Sequence, residues 1–203
     1  MNLESIPTLL ACAWLVPLAS FALIWVFGPR LGHHGKNAGY IATGAILGSF
    51  LFSAVAMATW VGHHGLFDEH AHVEPLAGDW YTLGEFGRLR LTVGYYIDAL
   101  TVVMFCMVTL IATCIHFYAQ GYMHDELHDV DDHEVTLSDG YHLHRPGRYH
   151  RFFQYLSLFC FSMLGIVIAG NLAMVFVFWE LVGVCSFFLI GFYIERKSAS
   201  TAA

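Results

Sequence analysis

Five apolar stretches alternate with polar connectors along the chain, and each stretch is about as long as a bilayer crossing requires. A helix rises about 1.5 Å per residue, so about 20 apolar residues span a hydrocarbon layer of about 30 Å. The pattern therefore predicts an all-α membrane protein with five transmembrane helices. In chain order we expect helices one and two within 1–62, an outer loop at 63–97, helix three at 98–118, an inner loop rich in His and Asp at 119–151, helices four and five within 152–194, and the start of another inner connector at 195–203.

The longest apolar stretch, residues 152–194, contains a single formal charge, Glu180. One straight helix of that length would be about 64 Å long, roughly twice the hydrocarbon thickness, so the chain must turn back. Gly170 relaxes the backbone and Asn171 can cap a new helix, which places the turn there. We therefore expect the fifth helix to begin at about residue 172, with Glu180 about 12 Å into it.

The connector between helices two and three has a different pattern, because apolar and polar residues alternate from Leu89 to Tyr95. A period of two is typical of a half-exposed strand. Together with residues 80–83 and a turn at 84–87, it predicts a short β-hairpin in the outer loop. We interpret Asp98, which follows, as a helix cap, since an acid in the first turn interacts favourably with the helix dipole.

Composition supports the membrane assignment. Hydrophobic residues make up 57% of the chain, the mean hydropathy is +0.58 and only 12% of residues are charged. These values are typical of a membrane protein, and the basic patch that nucleic-acid binding requires is missing from the sequence. The five cysteines lie in apolar runs without a C-x-x-C pair, so we interpret them as buried thiols that fill space.

Acids and histidines concentrate between residues 120 and 151. His124 and His128 are four residues apart, a spacing that on a helix could bring two imidazoles to a divalent ion. Loops rich in histidine and acids also occur without metal, so we favour a solvated, partly disordered insert and assign no metal ligand. The same interpretation covers the other histidine clusters, His33-His34, His63-His64 and His70 with His72.

The distribution of basic residues predicts the orientation, because cytoplasmic connectors carry an excess of Lys and Arg. With the N-terminus outside, seven of the nine basic residues lie on the inner side and two, Arg88 and Arg90, on the outer side. Five crossings then leave the C-terminal end of the chain inside.

An acid inside a membrane helix is costly, which makes Glu180 the first functional candidate. On a helical projection it shares a face with small residues that let another backbone approach, so we expect it to face protein or internal water rather than lipid. It could carry protons, or it could form a permanent hydrogen bond between helices while protonated. The other members of this face are Ala173, Phe176, Gly183, Phe187 and Gly191.

His116 is the second ionisable candidate within a helix. It lies about 27 Å from the outer start of helix three, so we expect a different depth from that of Glu180. We interpret it as a structural residue near the inner boundary, with proton transfer as the alternative. Since the predicted helices contain no Lys or Arg, a cationic partner for Glu180 has to come from beyond Ala203 or from another subunit.

Four motifs resemble a known family of membrane proteins. They are IDALTVVM at 97–104, IHFYAQGYM at 115–123, RFFQYLSLFCFSMLGIVIAGN at 151–171 and FWELVGVCSFFLIGFY at 178–193. From about Trp80 to Ala203 the chain is similar to the N-terminal part of subunit L of NADH-quinone oxidoreductase, called chain 5 in mitochondria. In that family the glutamate of the Trp-Glu block is an essential proton-path residue, and by match that role falls on Glu180.

The resemblance implies an antiporter-like, proton-translocating subunit in the membrane arm of an enzyme that couples NADH oxidation and quinone reduction to proton transport. Other membrane-arm subunits and the lipid bilayer are the implied partners, in the bacterial plasma membrane or the mitochondrial inner membrane. The chain has no Gly-rich dinucleotide motif and no cysteine cluster, so NAD, FMN, iron–sulfur clusters and quinone are expected in partner subunits. Family members are much longer, so we expect a fragment that does not pump by itself.

The chain also departs from the family pattern. Gly170 stands where the family usually has an acid, Leu181 where it usually has a glycine, and the acidic insert is longer than usual. Two alternatives therefore remain. One is the large subunit of a multisubunit cation/proton antiporter, which often has leucine after the same glutamate. The other is a non-transporting or metal-binding membrane scaffold that uses the histidine-rich loop.

Overall fold

The structure is a computed structural model that describes residues 3–32, 35–64, 74–87, 89–136 and 139–202. Among these residues, five helices are long and apolar enough to cross a membrane, which confirms the prediction of five transmembrane helices. The helices are α1 Ile6–Phe27, α2 Lys36–His64, α3 Ala99–Tyr122, α4 Tyr149–Ile168, α5 Leu172–Ile190 and the short α6 Lys197–Ala202. The strands are β1 Leu76–Phe86, β2 Leu89–Ile97, β3 Val130–Thr136 and β4 His142–Arg145.

The bundle is centred on α1, α2 and α4. Helix α1 packs beside α2 and α4, α3 packs on α2 and α4, and α5 packs on α4. Lipid tails are as apolar as leucine, so close packing and polar contacts between helices hold such a bundle together more than the hydrophobic effect does. One polar contact of this kind joins α1 to α4, where the Ser20 hydroxyl donates to the Ser157 hydroxyl oxygen at 2.9 Å.

The first hairpin, β1–β2, confirms the predicted hairpin and extends it. The strands pair in antiparallel fashion up to Phe86 and Leu89, so the turn is tighter than the 84–87 turn expected from the sequence. Gly87 supplies the positive φ of 64° that a tight turn needs. Asp98 caps α3 as predicted, because its carboxylate accepts a hydrogen bond from the Thr101 backbone N–H at 2.8 Å.

The first hairpin is attached to the turn between α4 and α5. The Gly170 N–H donates to the Gly94 carbonyl oxygen at 3.1 Å, and the Asn171 side-chain amide donates to the Thr92 carbonyl oxygen at 2.8 Å. A Cβ on Gly170 would lie 2.7 Å from backbone atoms of Gly94 and Tyr95. The departure from the family pattern at Gly170 therefore has a local reason in this chain, since the two backbones meet where a side chain would stand.

The insert after α3 is largely exposed to solvent, as expected, but its described residues form regular structure rather than a partly disordered loop. A 3₁₀ turn at His124–Leu127 leads into the second hairpin, β3–β4, in which Asp131 pairs with His144 and Asp132 with Leu143. Composition alone favours disorder, because it carries no information about which residues form buried ion pairs. Such ion pairs hold this segment in an ordered conformation. His124 and His128 lie in this turn and just after it rather than on one helix, with ring centroids 5.9 Å apart.

Several residues named in the sequence analysis lie outside the residues that the structure describes. These are His33, His34, His70, His72 and Arg88.

Candidate functional site

Glu180 lies on α5, whose start is fixed by the predicted cap. The Asn171 side-chain oxygen accepts a hydrogen bond from the Met174 N–H at 2.9 Å, and the helix proper begins at Leu172. Glu180 is thus eight residues, about 12 Å, into the helix. The residue ranges of the five spanning helices contain one acidic residue, and that residue is Glu180.

The rotation of α5 about its axis is set by a stripe that packs against the bundle. Met174 and Cys185 are buried, while Phe178 and Leu181 are partly buried against the same apolar cluster. These positions follow spacings of four, three and four, which mark one face of a helix. Gly165 on α4 makes room for the contact, since a Cβ there would lie 2.5 Å from the Phe178 ring. Leu181 therefore points into the bundle.

Glu180 points the other way. It is exposed together with Phe176, which is 64% exposed, and Trp179, which is 67% exposed. The predicted face of small residues is likewise exposed at Ala173 and Gly183, and no described atom lies within 4 Å of a Cβ built on Gly183. Within the described part of the chain, no hydrogen bond or ion pair reaches the Glu180 carboxylate. Contact between this face and other protein, and a cation near Glu180, stay predictions, since the described residues provide neither.

His116 is fully buried inside α3, six residues before the helix ends at Tyr122. The helix is about one turn longer than the predicted 98–118. Its Nδ1 lies 2.7 Å from the Ala112 carbonyl oxygen, which accepts from the Nδ1–H tautomer. Nε2 is then left as an acceptor, and no described residue donates to it. His116 borders an apolar cleft of about 150 Å³ between α3 and α4.

The structure does not bring the two predicted residues together. His116 packs near Phe153 of α4, with ring centroids 6.3 Å apart. Glu180 faces away from α4 on the neighbouring helix. Any proton path joining them would need groups that the described residues do not provide.

Sequence reasoning missed a buried ion pair at the end of the bundle that carries the second hairpin. Glu126 is 2% exposed, and its two carboxylate oxygens accept from the Arg145 guanidinium at 2.9 and 2.7 Å. The Arg148 N–H adds a third hydrogen bond at 2.9 Å. Burial raises the pKa of Glu126, but hydrogen bonds from Arg145 and Arg148 more than offset it, so the pKa lies below its ordinary value of 4.5.

Two further ion pairs connect this segment to the residues after α5. Arg148 donates to Glu195 at 2.6 Å, and Arg196 donates to Asp132 at 2.9 Å. The Arg196 guanidinium also lies over the Tyr193 ring, 4.9 Å from its centroid. We call the three pairs Glu126–Arg145, Arg148–Glu195 and Asp132–Arg196 the charged clamp. No local sequence pattern predicts the charged clamp, because the two residues of each pair are 19 to 64 positions apart in the chain.

Comparisons with known proteins bear directly on these elements. The family model described as NADH-ubiquinone oxidoreductase (complex I), chain 5 N-terminus, matches residues 80–129, which hold most of the first hairpin and all of α3. The model described as NADH:quinone oxidoreductase/Mrp antiporter, TM, matches residues 169–203, which include Glu180.

Similar proteins cover nearly the whole chain. NADH-quinone oxidoreductase subunit L of Neisseria meningitidis serogroup A is 35% identical over 188 residues, which are 93% of this chain and 24% of that protein. NAD(P)H-quinone oxidoreductase chain 5 of Synechocystis is 36% identical over 193 residues, 94% of this chain and 24% of that protein. The chloroplastic subunit 5 of Chaetosphaeridium globosum is 44% identical over 115 residues, 57% of this chain and 14% of that protein.

The chain thus spans about a quarter of the length of the curated relatives that match most of it. Five apolar helices and the matching antiporter-type model together mark an integral membrane protein. The resemblance inferred from the four motifs is confirmed by both family models and by these relatives. The chain belongs to the family of NADH-quinone oxidoreductase subunit L and chain 5 proteins.

Proposed function

We propose that this chain is part of a proton-translocating membrane-arm subunit of an NADH-quinone oxidoreductase, and that Glu180 carries protons within it. The observation that carries the proposal is the position of Glu180, a lone carboxyl group about two turns into an apolar helix. An acid at that depth costs several kcal/mol if it is ionised and unpaired, so a passive helix would not retain it without a use.

The exposed face of α5 fits this proposal. Because Phe178 and Leu181 pack inward, Glu180 lies on the outer side of α5. In this proposal, the rest of the subunit or a neighbouring subunit supplies the next surface there. A cation or internal water placed there would let the carboxyl group gain and lose a proton away from bulk water.

The coupled redox chemistry belongs to other chains in this proposal. NAD, FMN, iron–sulfur clusters and quinone are held by partner subunits, and the other membrane-arm subunits are the direct protein partners. The bilayer is the bacterial plasma membrane or the mitochondrial inner membrane, with the N-terminus outside and the C-terminal end inside. The uneven distribution of Lys and Arg between the two sides supports this orientation.

For His116 the geometry favours a packing role. The ring is fully buried, one nitrogen bonds within its own helix, and the cleft beside it is apolar. A proton relay needs a second polar group within hydrogen-bond reach, and the described residues offer none to Nε2. We therefore assign proton transfer to Glu180 ahead of His116.

The experiment is the Glu180→Gln substitution in the full-length parent protein, assembled in its complex in inverted membrane vesicles. We expect normal assembly and a fall of at least about tenfold in NADH-driven proton uptake, because glutamine cannot exchange a proton. Glu4→Gln, at an exposed acid outside α1, is the matched control and should leave uptake unchanged. Full proton uptake in assembled Glu180→Gln vesicles would reject the role.

A cation/proton antiporter subunit is the second candidate. It is favoured by one observation, namely that the model matching residues 169–203 is described for both kinds of protein. The same vesicles separate the two, because an antiporter acidifies or alkalinises the lumen in response to a sodium gradient without NADH. Transport that follows sodium and ignores NADH would support the antiporter instead.

A further inference from the structure

The exposed face of the second hairpin carries four metal-ligating side chains. Side chains alternate between the two faces of a strand, so His142 and His144 share a face of β4. The register of β3 shifts between Asp132 and Thr136, so His133 is placed by the contact between its ring and that of His142 rather than by alternation. Asp131 pairs directly with His144 across the hairpin, so it lies on the same side as His142 and His144, and the ring contact brings His133 to that side as well. All four are exposed.

The four side chains form two close pairs. The rings of His133 and His142 meet edge to face, with centroids 4.8 Å apart. Nδ1 of His144 lies 2.5 Å from a carboxylate oxygen of Asp131. The cluster therefore contains three imidazoles, one of which is already oriented by a carboxylate.

This arrangement matches the chemistry of a transition-metal site. Imidazole is a preferred ligand of Zn²⁺, and three protein ligands plus a water make a common four-coordinate set. A metal-binding histidine usually donates its other ring N–H to a carboxylate, which fixes the tautomer and directs the free nitrogen to the metal. The Asp131–His144 contact supplies that feature, because Nδ1–H donates to Asp131 and leaves Nε2 of His144 available.

We propose that the exposed face of the second hairpin binds a divalent transition-metal ion of the zinc class through His133, His142 and His144, with Asp131 orienting His144. Among the described residues, no three such groups already surround a common point, so binding requires the side chains to rotate. Their exposure leaves them free to do so. The proposal stands apart from the role of Glu180, which lies on another element.

Metal binding here would tie β3 to β4 on the side away from the charged clamp. Asp132 and Arg145, which belong to the clamp, are buried and adjoin the metal face in sequence. An ion that holds the strands together from outside therefore reinforces the pairing that positions these two residues. We expect bound Zn²⁺ to slow hydrogen exchange in both strands.

The test is a titration of the full-length parent protein in lipid nanodiscs, purified without a polyhistidine tag, with Zn²⁺ as the probe. We expect one zinc ion bound at micromolar concentration, and a loss of at least about tenfold in affinity for His133→Ala and for His142→Ala. Asp131→Asn should weaken binding by about tenfold or more, the usual effect of losing an outer-shell partner. The matched control for zinc affinity is the double substitution His124→Ala with His128→Ala. The rings of these two histidines lie 5.9 Å apart outside the hairpin.

A second measurement needs no variant. Zn²⁺ should protect His133, His142 and His144 of the unaltered protein from diethyl pyrocarbonate and leave His124 and His128 reactive. Absent binding, unchanged affinity in His133→Ala and His142→Ala, or protection confined to His124 and His128 would each overturn the proposal.

Discussion

The two hairpins in the described part of the chain are built alike and held in place by different forces. The first hairpin is attached by backbone contacts to the α4–α5 turn and by Trp80, whose ring lies 6.0 Å from that of Trp14. An ion pair between its strands, Glu85 with Arg90, is exposed and so contributes little. The second hairpin depends on the charged clamp, whose central pair of Glu126 and Arg145 is buried.

The difference shows what each hairpin can tolerate. Surface ion pairs contribute about 0–1 kcal/mol, whereas removing one partner of a buried pair leaves an uncompensated charge. Backbone contacts at a close approach depend instead on the absence of a side chain. Substitutions can therefore separate the two kinds of attachment, one sensitive to charge and the other to volume.

The largest effect is expected from Arg145→Met. It removes both guanidinium hydrogen bonds from Glu126, and breaking a buried pair in this way costs about 3–5 kcal/mol. We expect hydrogen exchange in β3 and β4 to speed up strongly in the parent protein, with β1 and β2 unchanged. The matched control is Arg90→Met, at the exposed pair. It should change the free energy of opening measured by hydrogen exchange by less than about 1 kcal/mol.

Acid should have the same effect on the charged clamp. The folded-state pKa of Glu126 lies below its ordinary value, so its contribution to stability is present above that value and is lost as the pH falls through the folded pKa. Opening of the second hairpin, measured by hydrogen exchange of its backbone amides, should therefore increase below about pH 4.5, while opening of the first hairpin stays unchanged. Equal sensitivity of the two hairpins to Arg145→Met and to acid would remove the distinction between them.

A smaller effect is expected from Gly170→Ala. The added Cβ would stand 2.7 Å from backbone atoms of Gly94 and Tyr95, so the first hairpin must move away or strain at a cost of about 1–3 kcal/mol. Exchange of the β2 amides measures the change. Gly121→Ala is the control, since a Cβ there meets no described atom within 4 Å. Unaltered exchange in β2 would show that the close approach is not what holds this hairpin.

The features predicted from sequence are those that local signals determine. Apolar length indicated the five helices, alternation from Leu89 to Tyr95 indicated the first hairpin, and residue type indicated the caps at Asp98 and Asn171. The second hairpin escaped prediction because β3, with the sequence VDDHEVT, has no apolar alternation. The second hairpin is ordered by the ion pairs of Arg145 and Arg196. The partners in these pairs are far apart in sequence, so no local sequence pattern predicts them.

The position of Glu180 along α5 was predictable, but its surroundings were not. Every side of α5 is apolar, so the sequence does not distinguish the side that packs on α4 from the side that faces away. Small residues suggested a helix contact around Glu180, whereas the contact within this chain forms through Phe178 and Leu181. Shape complementarity with Gly165 of α4 decided the rotation, and that is a property of two distant segments together.

The smallest effect is expected from Asp98→Ala, at the junction of the first hairpin and α3. The Asp98 carboxylate accepts from the Thr101 N–H at 2.8 Å and from the Thr101 hydroxyl at 2.9 Å, so the loss should be about 1 kcal/mol, typical of an N-cap. Faster exchange of the Thr101 amide measures it, and Asp98→Asn, which keeps an acceptor oxygen, should restore most of the protection. A loss of similar size in Asp98→Asn would mean that charge rather than capping matters there, and the first hairpin would then share the dependence on ionised groups that sets the second hairpin apart.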